Sequence, residues 1–261
     1  YIESLMIPVN IFDTLKISES SEFEVVTSGV REVIPTEKNI IFKAFNSFKS
    51  YVKRPVPDFL VIIEKSVPTG AGLGGGSSNA AGFIMFMNQY TGLKLSERSL
   101  NEIAFSVGSD VPFFLLGSPA FISGKGEIVE PVKLEQVNKY LLLLYPEIII
   151  NTSNAYALFD KKKLTKSGSV NINSVRQTGT CSLKDWTKNI FNDFEEAIFE
   201  EYPVLVEIRH RLMLAGADKV FMSGSGSSLI AVFDSERVRE KALDEFRDKF
   251  VTVRKIELLT V

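Results

Sequence analysis

The residues best suited to chemistry gather in one stretch, Pro68-Thr-Gly-Ala-Gly-Leu-Gly-Gly-Gly-Ser-Ser-Asn-Ala-Ala81. Glycine lets the backbone take positive φ and come close to a bulky anion. The apolar run Phe59-Leu-Val-Ile-Ile63 precedes it, and Gly82-Phe-Ile-Met-Phe-Met87 continues it as a buried helix. A strand, a glycine-rich loop and a helix start therefore lie in sequence. The helix start offers unpaired N–H groups and the positive end of its dipole to a phosphate. Ser77 and Ser78 are expected to cap this helix and to add hydroxyl donors. The stretch reads as a nucleotide-phosphate loop.

Two familiar loops do not fit. A Walker A loop requires a lysine after its glycines, and none follows here. Gly70, Gly72 and Gly75 match the spacing of a dinucleotide fingerprint. However, Glu64-Lys-Ser-Val-Pro68 separates the strand from the first glycine, and Gln89-Tyr-Thr-Gly-Leu stands where an acidic residue is expected. A plain strand-to-helix turn would not need five glycines in the seven residues 70–76 followed by two serines.

Asp110, in Gly108-Ser-Asp-Val-Pro-Phe-Phe-Leu-Leu-Gly117, is the candidate acid or base. Its bland reading is an N-cap for a helix opened by Pro112. Ser223-Gly-Ser-Gly-Ser-Ser228 lies between two apolar runs. It is a hairpin turn or a second phosphate contact. His210 lies between Arg209 and Arg211 and reads as a surface position. A Ser-His-Asp hydrolase would have to use this single histidine, and no nucleophile-elbow motif supports one. One histidine and one cysteine cannot build a His/Cys metal cluster.

The elements that must position these residues follow from periodicity. Residues 1–30 form short β-like runs, among them 7–12 and 23–26. Residues 39–52 carry apolar side chains at helical spacing, with Asn39 at the cap. Helices are expected from about 78 to 91 and from Ser96 to Val107. Ala120–Val129 reads as two strands about a glycine turn, and 141–145 and 148–150 as buried strands. Residues 161–188 are polar and aperiodic, a surface insertion whose Lys161–Lys163 run is solvated. Helices at 189–200, 203–215 and 235–248 alternate with strands at 220–222, 229–233 and 250–260. The interleaving lacks a strict βαβ repeat, which indicates α+β. The polar break at 137–139 suggests domains 1–137 and 138–261.

The chain has 261 residues, 45% of them hydrophobic, enough for one or two cores. A net charge of −2, with the two signs mixed, gives no nucleic-acid groove and no basic membrane face. No apolar run reaches the length of a membrane span, and no secretory signal is visible. The lone Cys181 excludes an intrachain disulfide framework and fits a reducing, cytoplasmic setting. The sequence leaves the oligomeric state open.

Together these motifs resemble the GHMP kinases. The triple glycine with Ser-Ser-Asn-Ala-Ala, the segment 108–117 and Gly124-Lys-Gly-Glu127 are closest to the branch that phosphorylates 4-diphosphocytidyl-2-C-methyl-D-erythritol. Glu37-Lys-Asn-Ile-Ile41, Asn192-Asp-Phe-Glu195 and Met222-Ser-Gly-Ser-Gly-Ser227 extend the likeness over the whole chain. The resemblance implies an α+β architecture of two domains: a ribosomal-S5-like N-terminal domain that binds ATP, expected to lack its first strand here, and a ferredoxin-like C-terminal domain. The active site would lie in the cleft between them. It implies ATP and Mg²⁺ as cofactors and transfer of phosphate to the 2-hydroxyl of that alcohol, a step in non-mevalonate isoprenoid synthesis. Nucleotide binding falls to Asn39 near the base and to Lys65, Pro68, Thr69, Gly70, Ala71, Gly72, Leu73, Gly74, Gly75, Gly76, Ser77 and Ser78. Asp110 matches the catalytic aspartate. Thr152 and Tyr156 match residues beside the cytosine, Met6 stands where some members carry a second aromatic, and Gly224 and Ser225 belong to the second glycine turn. Metal ligands are not fixed; Ser77 is a candidate. A homoserine or mevalonate kinase, and a nucleotide-binding relative without turnover, are the alternatives. The family's early Lys-x-Asn strand and Gly-Tyr-His stretch would precede Tyr1, so further N-terminal residues are expected.

Overall fold

A computed structural model describes residues 2–29, 34–135, 139–162, 179–181, 190–248, 250 and 252–259. Two compact units emerge. One takes the chain up to Thr69, then Gly74–Val132, and Leu259; the other takes Gly70–Leu73 and Lys133–Leu258. The break suggested at 137–138 falls on residues outside the described set, as do Tyr1 and most of the polar 161–188 segment.

The first unit opens with β1 (Ile2–Met6), β2 (Thr14–Ser20) and β3 (Glu24–Ser28). The β-like run 7–12 forms no strand. Pro8 interrupts it, its carbonyl accepts the Leu259 N–H, and Ile11 N–H turns back onto the Val9 carbonyl at 2.9 Å. A 3-10 turn, Thr36–Lys38, leads into α1 (Ile40–Val52), whose inward face is Ile41, Ala44, Phe45 and Phe48. That i, i+3, i+4, i+7 spacing is the apolar stripe of a packed helix. In β4 (Asp58–Glu64) Phe59, Val61 and Ile63 alternate inward. β4 pairs antiparallel with β2 and parallel with β3, with α1 as the crossover. Then come α2 (Gly75–Thr91), α3 (Glu97–Val107) and α4 (Val111–Leu116). Phe83 of α2 is fully buried, with ring contacts to Phe23, Phe45, Phe59 and Phe86. β5 (Ala120–Gly124) runs between β1 and β6 (Ile128–Pro131).

The second unit holds β7 (Lys133–Leu134), paired in parallel with β9 (Thr180–Cys181). Its main sheet has the order β10-β11-β8-β12, all antiparallel: Lys219–Met222, Leu229–Phe233, Tyr140–Tyr145 and Thr252–Ile256. Leu141–Leu144 of β8 are buried throughout, as a central strand requires. α5 (Thr152–Lys162), α6 (Phe194–Glu201) and α7 (Pro203–Leu214) lie between β8 and β10, and α8 (Glu236–Phe246) lies between β11 and β12. The hairpin and the flanking helices give the β-α-β-β-α-β order of a ferredoxin-like unit. The apolar run 148–150 forms no strand: Ile149 is 71% exposed, and the Ile148 carbonyl accepts the Ser227 hydroxyl. His210 is exposed on α7.

Candidate active site

In the first unit the glycine loop runs into α2 earlier than expected. Gly74, left-handed at φ +66°, is the N-cap, and α2 starts at Gly75. Ser77 and Ser78 therefore lie inside the first turn and do not cap it, a correction to the expected helix start. The cause is the glycine itself, which takes the left-handed turn at little cost and brings the helix forward by three residues. A Cβ at Gly74 would stand 2.6 Å from the Phe114 ring, so α4 packs on the first turn of α2. A Cβ at Gly76 would find only Ile40, at 3.7 Å. The backbone there is accessible, with its N–H near the positive end of the helix.

Lys65 ends β4's extension beside this helix start: its Nζ lies 3.3 Å from where a Cβ on Gly75 would stand. Its partner is Asp13, in the β1–β2 connection. The Asp13 carboxylate also accepts the N–H groups of Ser66 (2.7 Å) and Val67 (2.8 Å) and the Asn79 amide (2.9 Å). Burial favours the neutral acid, but these four donors outweigh it and hold the Asp13 pKa below its ordinary value. Sequence reasoning missed Asp13; its nearest partner in this cluster is 52 residues away, and no local pattern marks it.

Asp110 sits at the N-cap position of α4, as its bland reading expects, yet its side chain makes no capping bond. Among the described residues it receives only the Ser109 hydroxyl, at 3.3 Å. Burial pushes its carboxyl pKa above the usual range, and the Ser109 bond offsets this only in part. The turn Gly124–Glu127 fixes it from the other side. Gly126, at φ +107°, packs so tightly that a Cβ would lie 2.4 Å from the Ser109 carbonyl oxygen. Glu127 in turn accepts the Lys125 N–H. Asn39 is buried and caps α1, its side-chain oxygen accepting Ile41 N–H at 3.0 Å. It also borders a cavity of about 950 Å³ with Lys38, Lys43, Ser47, Tyr51 and Glu102. Met6 on β1 packs with the small apolar cluster of Phe113, Ala120 and Ile122.

The second unit contains the apex of the loop, Gly70–Leu73. Ser223 Oγ donates to the Gly72 carbonyl at 3.0 Å, and Ser228 N–H donates to that of Ala71 at 3.2 Å. The contact is close enough to require glycine: a Cβ at Gly72, φ +73°, would meet the Ser223 carbonyl at 2.2 Å. The second glycine-serine turn therefore grips the first. Asn192 holds this turn through the carbonyls of Met222 (2.8 Å) and Gly224 (2.7 Å), and Glu195 accepts Met222 N–H at 2.7 Å. Ser225, buried, lies 3.2 Å from the Thr152 hydroxyl. Tyr156 is 42% exposed and meets Phe194 edge-on, 4.9 Å between ring centroids. Gly224, Ser225, Thr152 and Tyr156 thus share one neighbourhood in this unit. Lys65, Gly74–Ser78 and the Asp110 helix share one in the other. Among the described residues no group of three or more His, Cys, Asp or Glu could hold a metal ion, and no helix is long and apolar enough to cross a membrane.

The half-buried, sparsely bonded Asp110 carboxyl and the glycine-lined start of α2 lie in one unit, and comparison with known proteins gives the family. The GHMP kinase N-terminal domain model matches residues 39–118, and the C-terminal model matches 182–252. Proteins named 4-diphosphocytidyl-2-C-methyl-D-erythritol kinase are similar over most of the chain. That of Parabacteroides distasonis is 32% identical over 96% of this chain and 89% of its own length. That of Thermodesulfovibrio yellowstonii is 35% identical over 94% and 85%. A crystal structure of 4-(cytidine 5'-diphospho)-2C-methyl-D-erythritol kinase superposes with TM-score 0.75 and 25% identity, covering 98% of this chain and 89% of that one. A homoserine kinase from Cytophaga hutchinsonii shares the fold at TM-score 0.67 and 18% identity, over 95% and 85% of the two chains. The chain belongs to the GHMP kinase family, in the group of the 4-diphosphocytidyl-2-C-methyl-D-erythritol kinases.

Proposed function

We infer that this protein phosphorylates the 2-hydroxyl of 4-diphosphocytidyl-2-C-methyl-D-erythritol with ATP, a step of non-mevalonate isoprenoid precursor synthesis. The observation that carries the reading is the glycine cradle at the start of α2, set on α4 whose N-cap is a half-buried aspartate that makes no capping bond and accepts the Ser109 hydroxyl at 3.3 Å. The likeness to the two kinases above selects the substrate.

In this reading the polyphosphate lies along the loop from Pro68 to Ser78 and meets the N–H groups of Gly75, Gly76 and Ser77 and the Lys65 ammonium. Asn39 lies near the base. The substrate hydroxyl oxygen attacks the γ-phosphorus, the bond to the β,γ-bridging oxygen breaks, and ADP leaves. Asp110 accepts the hydroxyl proton as the new O–P bond forms. Its raised pKa suits that role, because a base works best when its pKa lies near the working pH. Tyr156 offers an exposed ring to the cytosine, with Thr152, Gly224 and Ser225 beside it. Met6 adds an apolar contact at most.

Mg²⁺ fits this donor set. It is commonly held by substrate phosphates, waters and one or two protein oxygens, not by an all-protein cage. Ser77 would offer its hydroxyl, and the bound ion would neutralise charge on the transferred group. We place the enzyme in the cytoplasm, a setting the lone Cys181 favours.

The test is ATP consumption with 4-diphosphocytidyl-2-C-methyl-D-erythritol, beside homoserine and mevalonate. Turnover with the cytidylyl alcohol alone is expected. Turnover with a control would reject the substrate, and ATP binding without turnover on any of the three would reject the kinase reading.

A further inference from the structure

We propose that Asp13 is a positioning residue for the nucleotide, holding Lys65 and both flanks of the glycine loop in the form that receives phosphate. The proposal rests on the kinase reading above. Its basis is a single carboxylate that ties three separate segments together. One Asp13 oxygen accepts the Ser66 and Val67 N–H groups, where the chain leaves β4. The other accepts Lys65 Nζ at 2.5 Å and the Asn79 amide at 2.9 Å, one turn into α2. The Asp13 side chain is 1% exposed and that of Lys65 is 10% exposed.

This arrangement needs an explanation, because Lys65 stands in an unfavourable place. Its ammonium lies beside Gly75, the first residue of α2. A cation there is repelled by the positive end of the helix dipole. Asp13 supplies the charge that keeps it in position. The carboxylate faces Lys65 from the β1–β2 connection and fills the donors of the loop's entry strand, leaving those of the first helical turn for a ligand. A polyphosphate then meets a cation and a helix N-terminus whose geometry is set before it arrives, which lowers the ordering cost of binding. A purely structural brace would stabilise the unit without affecting the nucleotide.

Asp13→Asn separates the two roles. The amide keeps the shape and one acceptor, but it turns an NH₂ toward Lys65 and Asn79, which are both donors. The ATP dissociation constant, measured by calorimetry, and KM for ATP are expected to rise about tenfold or more, the usual size of a lost charged hydrogen bond. KM for the alcohol substrate should change by less than about twofold. Lys65→Met should weaken ATP to a similar degree, and the double variant should be little worse than either single one, because both act through the same contact. Unchanged or tighter ATP binding in Asp13→Asn, or additive losses in the double variant, would overturn the proposal even if the melting temperature falls. If Asp13→Asn does not fold, Asn79→Ala, which removes one of the four donors, must weaken ATP alone for the proposal to stand. A wild-type protein that binds ATP but shows no turnover on the cytidylyl alcohol would sink the substrate reading and leave this test intact, since the dissociation constant is read directly.

Discussion

Gly126→Ala should damage catalysis from a residue that touches no substrate. The added Cβ would lie 2.4 Å from the Ser109 carbonyl oxygen and 2.9 Å from the Ser109 Cβ. Relief to ordinary contact requires roughly 1 Å of movement. The φ of +107° is strained for alanine, so the turn cannot give way freely. Strain and overpacking together cost about 2–5 kcal/mol. Part is relieved by pushing Ser109, and with it Asp110, out of place. A misplacement near 1 Å at the reacting group costs about 10²-fold in rate. The expected result is a kcat lowered by about 10- to 100-fold, with the ATP dissociation constant nearly unchanged. Gly117→Ala is the control: it sits at φ +69° past the other end of α4, with nothing within 4 Å. It should cost about 1–2 kcal/mol of stability and leave kcat alone. Steady-state kinetics with titrated ATP binding checks both. A folded Gly126→Ala enzyme with wild-type kcat would refute the reasoning, as would equal losses in kcat and nucleotide affinity.

Asp110→Asn should lower kcat by about 10²- to 10⁴-fold and leave ATP binding nearly intact, as read by the same two measurements. The raised Asp110 pKa puts the acid limb of the wild-type pH–rate profile above the ordinary carboxylate range, and a limb at or below that range would contradict the assignment. The Asp13 pKa is lowered on folding, so its stabilising contribution is present above the unfolded value of 3.8 and is lost as pH falls through the folded value. Acid melts should therefore show a steeper stability loss for wild type than for Asp13→Asn in that window. Phe83→Ala empties a site enclosed by four rings and should cost about 3–5 kcal/mol, measured by denaturant melts.

The elements with strong local patterns were legible in the sequence. The Phe59–Ile63 apolar run, the Asn39 and Ser96 caps and the glycine loop each carry their signal within a few residues. The failures have physical causes. Residues 148–150 are apolar enough for a strand, but no strand among the described residues pairs with them, and pairing is not a local property. Serine is a good cap, so the sequence points to a start of α2 near Ser78; Gly74 takes the turn instead. At the candidate site, motif and order single out Asp110 and the two glycine-serine segments. The grip of Ser223 on Gly72 and of Asp13 on Lys65 was not, since these partners lie 151 and 52 residues apart. In the sequence Gly126 is only one glycine of a motif; its contact with Ser109 exists only in the folded turn.

Asp13 and Asp110 show why residue type alone could not assign these roles. Both are aspartates in the same unit, shielded from solvent and beside the elements that bear the phosphate loop. Asp13 receives four donors, one of them a cation, so its charge is fully used and it titrates below the ordinary range. Asp110 receives one hydroxyl at 3.3 Å, so burial dominates and its affinity for a proton rises. A carboxylate with every lone pair engaged can fix geometry but cannot take a proton at neutral pH. A carboxylate left short of partners gains one readily. The same side chain therefore holds a charge fixed by four donors at one position and, at the other, has the raised proton affinity that the proposed role of Asp110 needs. What separates them is the number of donors the fold delivers to each.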